Sequence, residues 1–229
     1  MSSKFLNKAV YPSVNAHYLF LKQMLPHFDR LITQIPIHQM NNHMLALMGL
    51  KQRQALVTAA LRLPDADKAE AIAGLGAGLE ALDTDQRKAL VTAALGLPDG
   101  LYKAEAIAGL GAGLAALDPT QQEALVRAAL DLPGELYKAV AIAGLGAGLA
   151  ALERSQQEAL VRAALDLPGG LGKTRAIAGL GAGLAALETD QRKALVTAAL
   201  GLPDGLGKAR AIAELVKGYQ DSKVRDYLR

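Results

Sequence analysis

The chain has 229 residues, half of them hydrophobic but only 4% aromatic, and a formal net charge of +3. Burial must therefore come from Ala, Leu, Ile and Val, and so small a charge does not by itself imply a nucleic-acid partner. The absence of cysteine excludes disulfides, thiolate metal sites and thiol nucleophiles; the longest apolar run, residues 139–152, would span only about 21 Å as a helix, short of a hydrocarbon layer roughly 30 Å thick.

At the N-terminus, MSSKFLNKAVYPSVNAHYLF has no apolar stretch followed by a small-residue cleavage site, so no signal peptide is expected. The expected location is cytoplasmic, or outside the cell by a signal-peptide-independent route. Residues 1–36 are interrupted by Pro26 and Pro36 and hold five of the nine aromatics, which predicts short helices forming a helical N-terminal cap. Residues 37–64 read as a degenerate first repeat ending in LKQRQALVTAALRLP. Up to Pro64 there are seven Lys or Arg and one acid, whereas residues 65–229 carry 18 bases and 21 acids, a basic head on a mildly acidic body. The four histidines (His17, His27, His38 and His43) fall in this head at spacings that match no zinc motif, so no metal is expected.

Residues 65–210 are tandem repeats. Leu-Pro recurs with its proline at 64, 98, 133, 168 and 203, and AIAGLGAGL recurs verbatim from Ala71, Ala106, Ala141 and Ala176. The block TDQRKALVTAALGLPDG at 84–100 returns unchanged at 189–205. Each unit of about 35 residues predicts two helices. In the leading one, expected over 103–117, Ile107, Leu110, Leu114 and Leu117 form an aliphatic stripe beside a small-residue stripe, Ala106, Gly109, Gly113 and Ala116. Gly109, Gly111 and Gly113 inside a helix cost roughly 1 kcal/mol each relative to Ala, a penalty that only close helix packing recovers.

The trailing helix is expected to start at Asp118, where an acceptor, a first-turn proline and a glutamine three residues on form a start signal. The sister sequence SQQE at 155–158 also fits a capping box. This helix should bury Leu125, Val126, Ala129 and Leu130, and stop at Leu132-Pro133. Residues 211–229 predict C-terminal capping helices, with Glu214 and Lys217 replacing small residues as a water-facing end requires. The fold class expected is all-α, an α-solenoid of about five helix-pair repeats with helical caps.

Unit length, helix-pair layout and the positions Gly74, Ala93 and Pro98 resemble tetratricopeptide-type repeats over roughly residues 37–220. Ala77 and Leu90 stand where that family usually has aromatics, and a HEAT-like array is similar in layout. Leucine-rich repeats and the DNA-reading repeats of plant-pathogen effectors fit poorly: the first need a Leu-x-Leu strand, the second a Gly-Gly between their two helices in every unit. The resemblance implies a protein-binding scaffold without catalysis.

Two motifs imitate chemistry. GGLGKT at 169–174 has the look of a phosphate-binding loop, but Pro168 precedes it instead of a strand, and the sister turns read GELYKA and DGLGKA. GLGAG has the wrong spacing for a dinucleotide fingerprint. Neither a nucleophile–base pair nor an isolated carboxylate pair stands out, so no enzyme activity and no cofactor are expected.

Where duplicated units differ, recognition can reside. Before the constant lysines (Lys68, Lys103, Lys138, Lys173, Lys208) come Asp67, Tyr102, Tyr137, Gly172 and Gly207. Two positions after the lysines come Glu70, Glu105, Val140, Arg175 and Arg210, a ladder running from acid through apolar to base. Tyr is favoured at binding hot spots. Tyr102, Tyr137, Glu70, Glu105, Val140, Arg175 and Arg210 are therefore the expected partner-binding strip. On the trailing helix, Glu123, Arg127 and Asp131 read as a solvated salt ladder. The function expected is a non-catalytic protein–protein interaction scaffold, with a bacterial host-directed effector as one form of it. The alternatives are a nucleic-acid binder using the basic head and a self-assembling structural protein; the membrane is not an expected partner.

Overall fold

The computed structural model describes residue 45 and residues 48–227, with side chains placed to residue 220. The chain divides into two compact units, Met1–Pro36 and Ile37–Arg229, and the description concerns the second. The N-terminal cap, the four histidines and most of the residues before Gly49 lie outside the described residues.

Among the described residues the protein is all-α, with ten α-helices and no strand. The helices are α1 (Leu50–Leu61), α2 (Asp65–Gly76), α3 (Thr84–Gly96), α4 (Leu101–Leu110), α5 (Pro119–Asp131), α6 (Glu135–Leu145), α7 (Arg154–Asp166), α8 (Leu171–Gly181), α9 (Thr189–Leu200) and α10 (Leu206–Tyr227). Even-numbered helices are the leading helices of the sequence repeat and odd-numbered ones the trailing helices. No helix of the described residues is long and apolar enough to cross a membrane.

The leading helix is shorter than its aliphatic stripe. Helix α4 ends at Leu110, and Gly111–Ala116 continues as a 3₁₀ turn; Gly146–Ala151 does the same after α6. The stripe could not reveal this. Gly111, Leu114 and Leu117 are three apart, a spacing that faces one side in either helix type, and all three are buried. Gly111 thus sits at the junction and Gly113 within the 3₁₀ segment, so only Gly109 is paid for as a helical glycine.

Each leading helix packs on the leading helix of the next unit, and trailing helices pack on trailing ones. The leading contacts are the closer. A Cβ on Gly111 would lie 2.6 Å from the carbonyl carbon of Gly144 and 2.9 Å from Leu145 Cα, and one on Gly109 would fall on Ala73. Gly76 meets the Gly109 carbonyl and Gly146 meets that of Gly179 in the same way. Ordinary carbon contacts lie near 3.5–4.0 Å, so these backbones approach to a separation that only glycine permits. The aliphatic stripe, Ile107, Leu110 and Leu114, is fully buried beneath them.

Trailing helices start as expected at Asp118, whose side chain accepts from Gln121 N at 2.9 Å while the Gln121 side chain accepts from Asp118 N at 3.2 Å. In the sister unit the cap is Glu153, with Gln156 Oε1 accepting from its N–H at 3.0 Å; Ser155 is already inside the helix. Leu125, Val126 and Ala129 are buried and Leu130 half-buried. An unanticipated core residue is Gln122. Its Nε2 donates to Leu114 O at 2.9 Å and Leu117 O at 3.1 Å, and Gln157 repeats this on Leu149 and Leu152. Leu114 O and Leu149 O also accept the backbone N–H of Leu117 and Leu152, whereas the Leu117 and Leu152 carbonyls lie past the end of the 3₁₀ segment, so the glutamine ties the two helices of one unit together.

The final leading helix differs. α10 runs unbroken from Leu206 to Tyr227, since AIAELVKGY lacks the LGAGL that turns the others into 3₁₀ geometry. Glu214 takes the place of Gly179 and is half-buried against the preceding helix. Val216 takes the place of Gly181 and is 48% exposed. The outward face therefore carries a valine as well as Lys217.

Candidate functional site

The variable strip lies at the starts of the leading helices because the turns before them are built alike. Gly100, Gly134, Gly170 and Gly205 each have positive φ, a backbone state that glycine adopts without strain, and each sits just ahead of a leading helix. The constant lysines then fold back. Lys103 Nζ reaches Asp99 Oδ1 at 2.7 Å, Lys208 reaches Asp204 at 2.9 Å, and Lys68 reaches Asp65 at 3.4 Å. Lys208 holds the Asp204 carboxyl below the ordinary Asp range, first through the hydrogen bond and then through its charge.

The same construction accounts for GGLGKT. Lys173 Nζ donates to Leu165 O at 2.5 Å, and Thr174 Oγ1 to Gly170 O at 2.8 Å. Both polar groups of the motif are committed to the turn and to the end of α7. Among the described residues no group of His, Asp and Glu is arranged to hold a metal ion.

Five of the seven expected strip residues come together. Glu70, Tyr102, Glu105, Val140 and Arg175 line one groove of about 500 Å³ that crosses the starts of α2, α4, α6 and α8. Asp67 joins the acids at one end; Ala73 and Ala108 form the floor. Tyr102 is 44% exposed, and Glu70, Glu105 and Arg175 are exposed, but Val140 is only 3% exposed and forms part of the floor, not a projecting anchor. Tyr137 is half-buried and Arg210 exposed; neither lines the groove. The floor alanines were not singled out by sequence. They are the residues against which Gly109 and Gly144 of the next helix are pressed, so the close packing that holds the helices together also makes the depression between them.

On the trailing helices, Arg127 pairs with Glu123 at 2.6 Å, whereas Glu158 pairs with Arg154 at 3.1 Å. Arg154 also reaches Glu188 of the following unit at 2.8 Å. All are exposed, and such pairs contribute at most about 1 kcal/mol each. The chain matches no family model, no curated protein and no solved structure.

Proposed function

We propose that the chain is a non-catalytic protein–protein interaction scaffold, an α-solenoid of tetratricopeptide-like or HEAT-like layout, and that it takes a short segment of its partner in the groove over α2 to α8. The observation that supports this reading is the gathering of Glu70, Tyr102, Glu105, Val140 and Arg175 around one depression. These are positions at which otherwise duplicated units disagree. A groove of this size falls in the range that holds a few side chains. Its acidic end (Asp67, Glu70, Glu105) suits Lys or Arg, its apolar floor with the Tyr102 ring suits an aliphatic or aromatic anchor, and Arg175 suits a carboxylate. The preferred ligand is then a peptide reading base, apolar, acid along its length.

Selection from a displayed library of random peptides tests this. Peptides enriched on the parent protein should carry that order of residues and lose most of their binding to Tyr102→Ala with Arg175→Glu, both exposed positions whose change leaves the core intact. A library that enriches nothing above background, or peptides that bind the double variant equally well, would reject the groove as the recognition site.

A further inference from the structure

The two copies of TDQRKALVTAALGLPDG have the same sequence and different surroundings. Val91 in α3 is 4% exposed, as are Val126 and Val161 at the matching positions of α5 and α7, because the trailing helix of the next unit packs over each. Val196 in α9 is 42% exposed. Leu200 is 57% exposed, whereas Leu95, Leu130 and Leu165 are half-buried. Nothing in the local sequence separates the copies; the difference is the helix that lies on the earlier one. Between α9 and α10 this leaves an open groove of about 650 Å³, in which Val196, Leu200, Leu215, Val216 and Tyr219 supply apolar surface. Arg192 and Lys193 also line it, and Arg192 Nε is buried with no acceptor among the described residues.

Two features select the occupant. A further whole unit would need a glycine on α10 to receive the backbone of its leading helix, as Gly76, Gly111 and Gly146 do; Val216 stands there instead. Close stacking of another leading helix, from this chain type or a second copy, is thereby blocked, while the place of a lone trailing helix stays open. Among the described residues the groove's cations are Arg192 and Lys193, and Lys193 lies 3.9 Å from an exposed Asp190. Two such grooves facing each other would bring like charges together; an acidic helix would pair with them.

We infer that this groove binds one amphipathic helix of a partner protein, with aliphatic and small residues along one face and carboxylates at its edge. The site is separate from the groove over α2 to α8 and does not depend on it. The helices that fill the internal grooves show the chemistry required, and one of them serves as a probe. A capped peptide of residues 118–131, DPTQQEALVRAALD, has three acids against one base and brings its own N-cap.

The experiment is a fluorescence-anisotropy titration of the labelled peptide with the full chain, alongside Val196→Glu, Leu200→Glu and Tyr102→Ala. Saturable binding to the parent, weakened about tenfold or more by each of the first two substitutions and unchanged by Tyr102→Ala, is the expected result. Val196 and Leu200 are exposed enough that both variants should keep the parent circular dichroism, and two positions guard against one misfolding. Absence of saturable binding, or equal binding by both glutamate variants, overturns the inference. So does sedimentation showing a parent dimer that Val196→Glu converts to monomer, since the groove would then be occupied by a second copy.

Discussion

Replacing Gly144 with Ala puts the two scales of the argument in opposition. On helix propensity alone the change should stabilise α6 by up to about 1 kcal/mol. In the fold, the new Cβ would fall on Ala108 Cα and Cβ of α4, with Ala108 O at 2.5 Å. Those are backbone atoms and the stub of a side chain, with no rotamer to yield. Restoring ordinary contact at 3.5 Å or more requires the helices to part by about 1 Å, and gaps of that size forfeit a quarter to a half of each dispersion contact along the seam. Overpacking of this kind costs about 3 kcal/mol or slightly more, leaving a net loss of about 2 kcal/mol. For about 200 residues that lowers the melting temperature by about 4–8 °C, read by circular dichroism at 222 nm. Gly96→Ala is the matched control. Gly96 ends α3 with nothing within 4 Å of its would-be Cβ, so it should melt at or above the parent temperature. A Gly144→Ala protein as stable as the control would refute close backbone approach as the reason for the repeated glycines.

Other changes probe the joints within and between units. Gln122→Leu keeps the side-chain size but strands Leu117 O and takes the second donor from Leu114 O, and should cost about 1–3 kcal/mol in urea unfolding. Asp118→Ala removes a cap that accepts from Gln121 N and should cost about 1 kcal/mol by the same measurement; Arg154→Ala, which breaks two exposed pairs, should cost no more than about 1 kcal/mol for each. Because Lys208 lowers the folded-state pKa of Asp204, the pair's contribution is present above the unfolded carboxyl value and lost as pH falls through the folded one. By NMR, Asp204 should titrate below the ordinary Asp range and return to it in Lys208→Gln.

The repeat period, the trailing-helix start at Asp118 and the all-helical class could be read from sequence because each rests on local signals: proline, capping residues, and an aliphatic stripe. What could not be read is where the leading helix stops being α-helical. An i, i+3 stripe is common to α and 3₁₀ geometry, so Gly111, Leu114 and Leu117 are silent on the transition. Gln122 was hidden for a different reason. As a polar residue early in a trailing helix it looks solvated, and only the Leu114 and Leu117 carbonyls at the end of the neighbouring 3₁₀ segment, a tertiary feature, explain its burial.

The strip shows the same division. Disagreement between copies pointed to Glu70, Tyr102, Glu105, Tyr137, Val140, Arg175 and Arg210 on equal terms. Packing distinguishes them: Tyr137 is half-buried and outside the groove, while Val140 is floor. Duplication carries a further consequence for how such a chain should be read. Verbatim copies hold local sequence constant, so any difference in exposure between them reports the neighbour and nothing else. Val91 and Val196 differ tenfold in exposure with identical flanks. The contrast locates an uncovered interface more directly than hydrophobicity does, since the same valine is core in one copy and surface in the other.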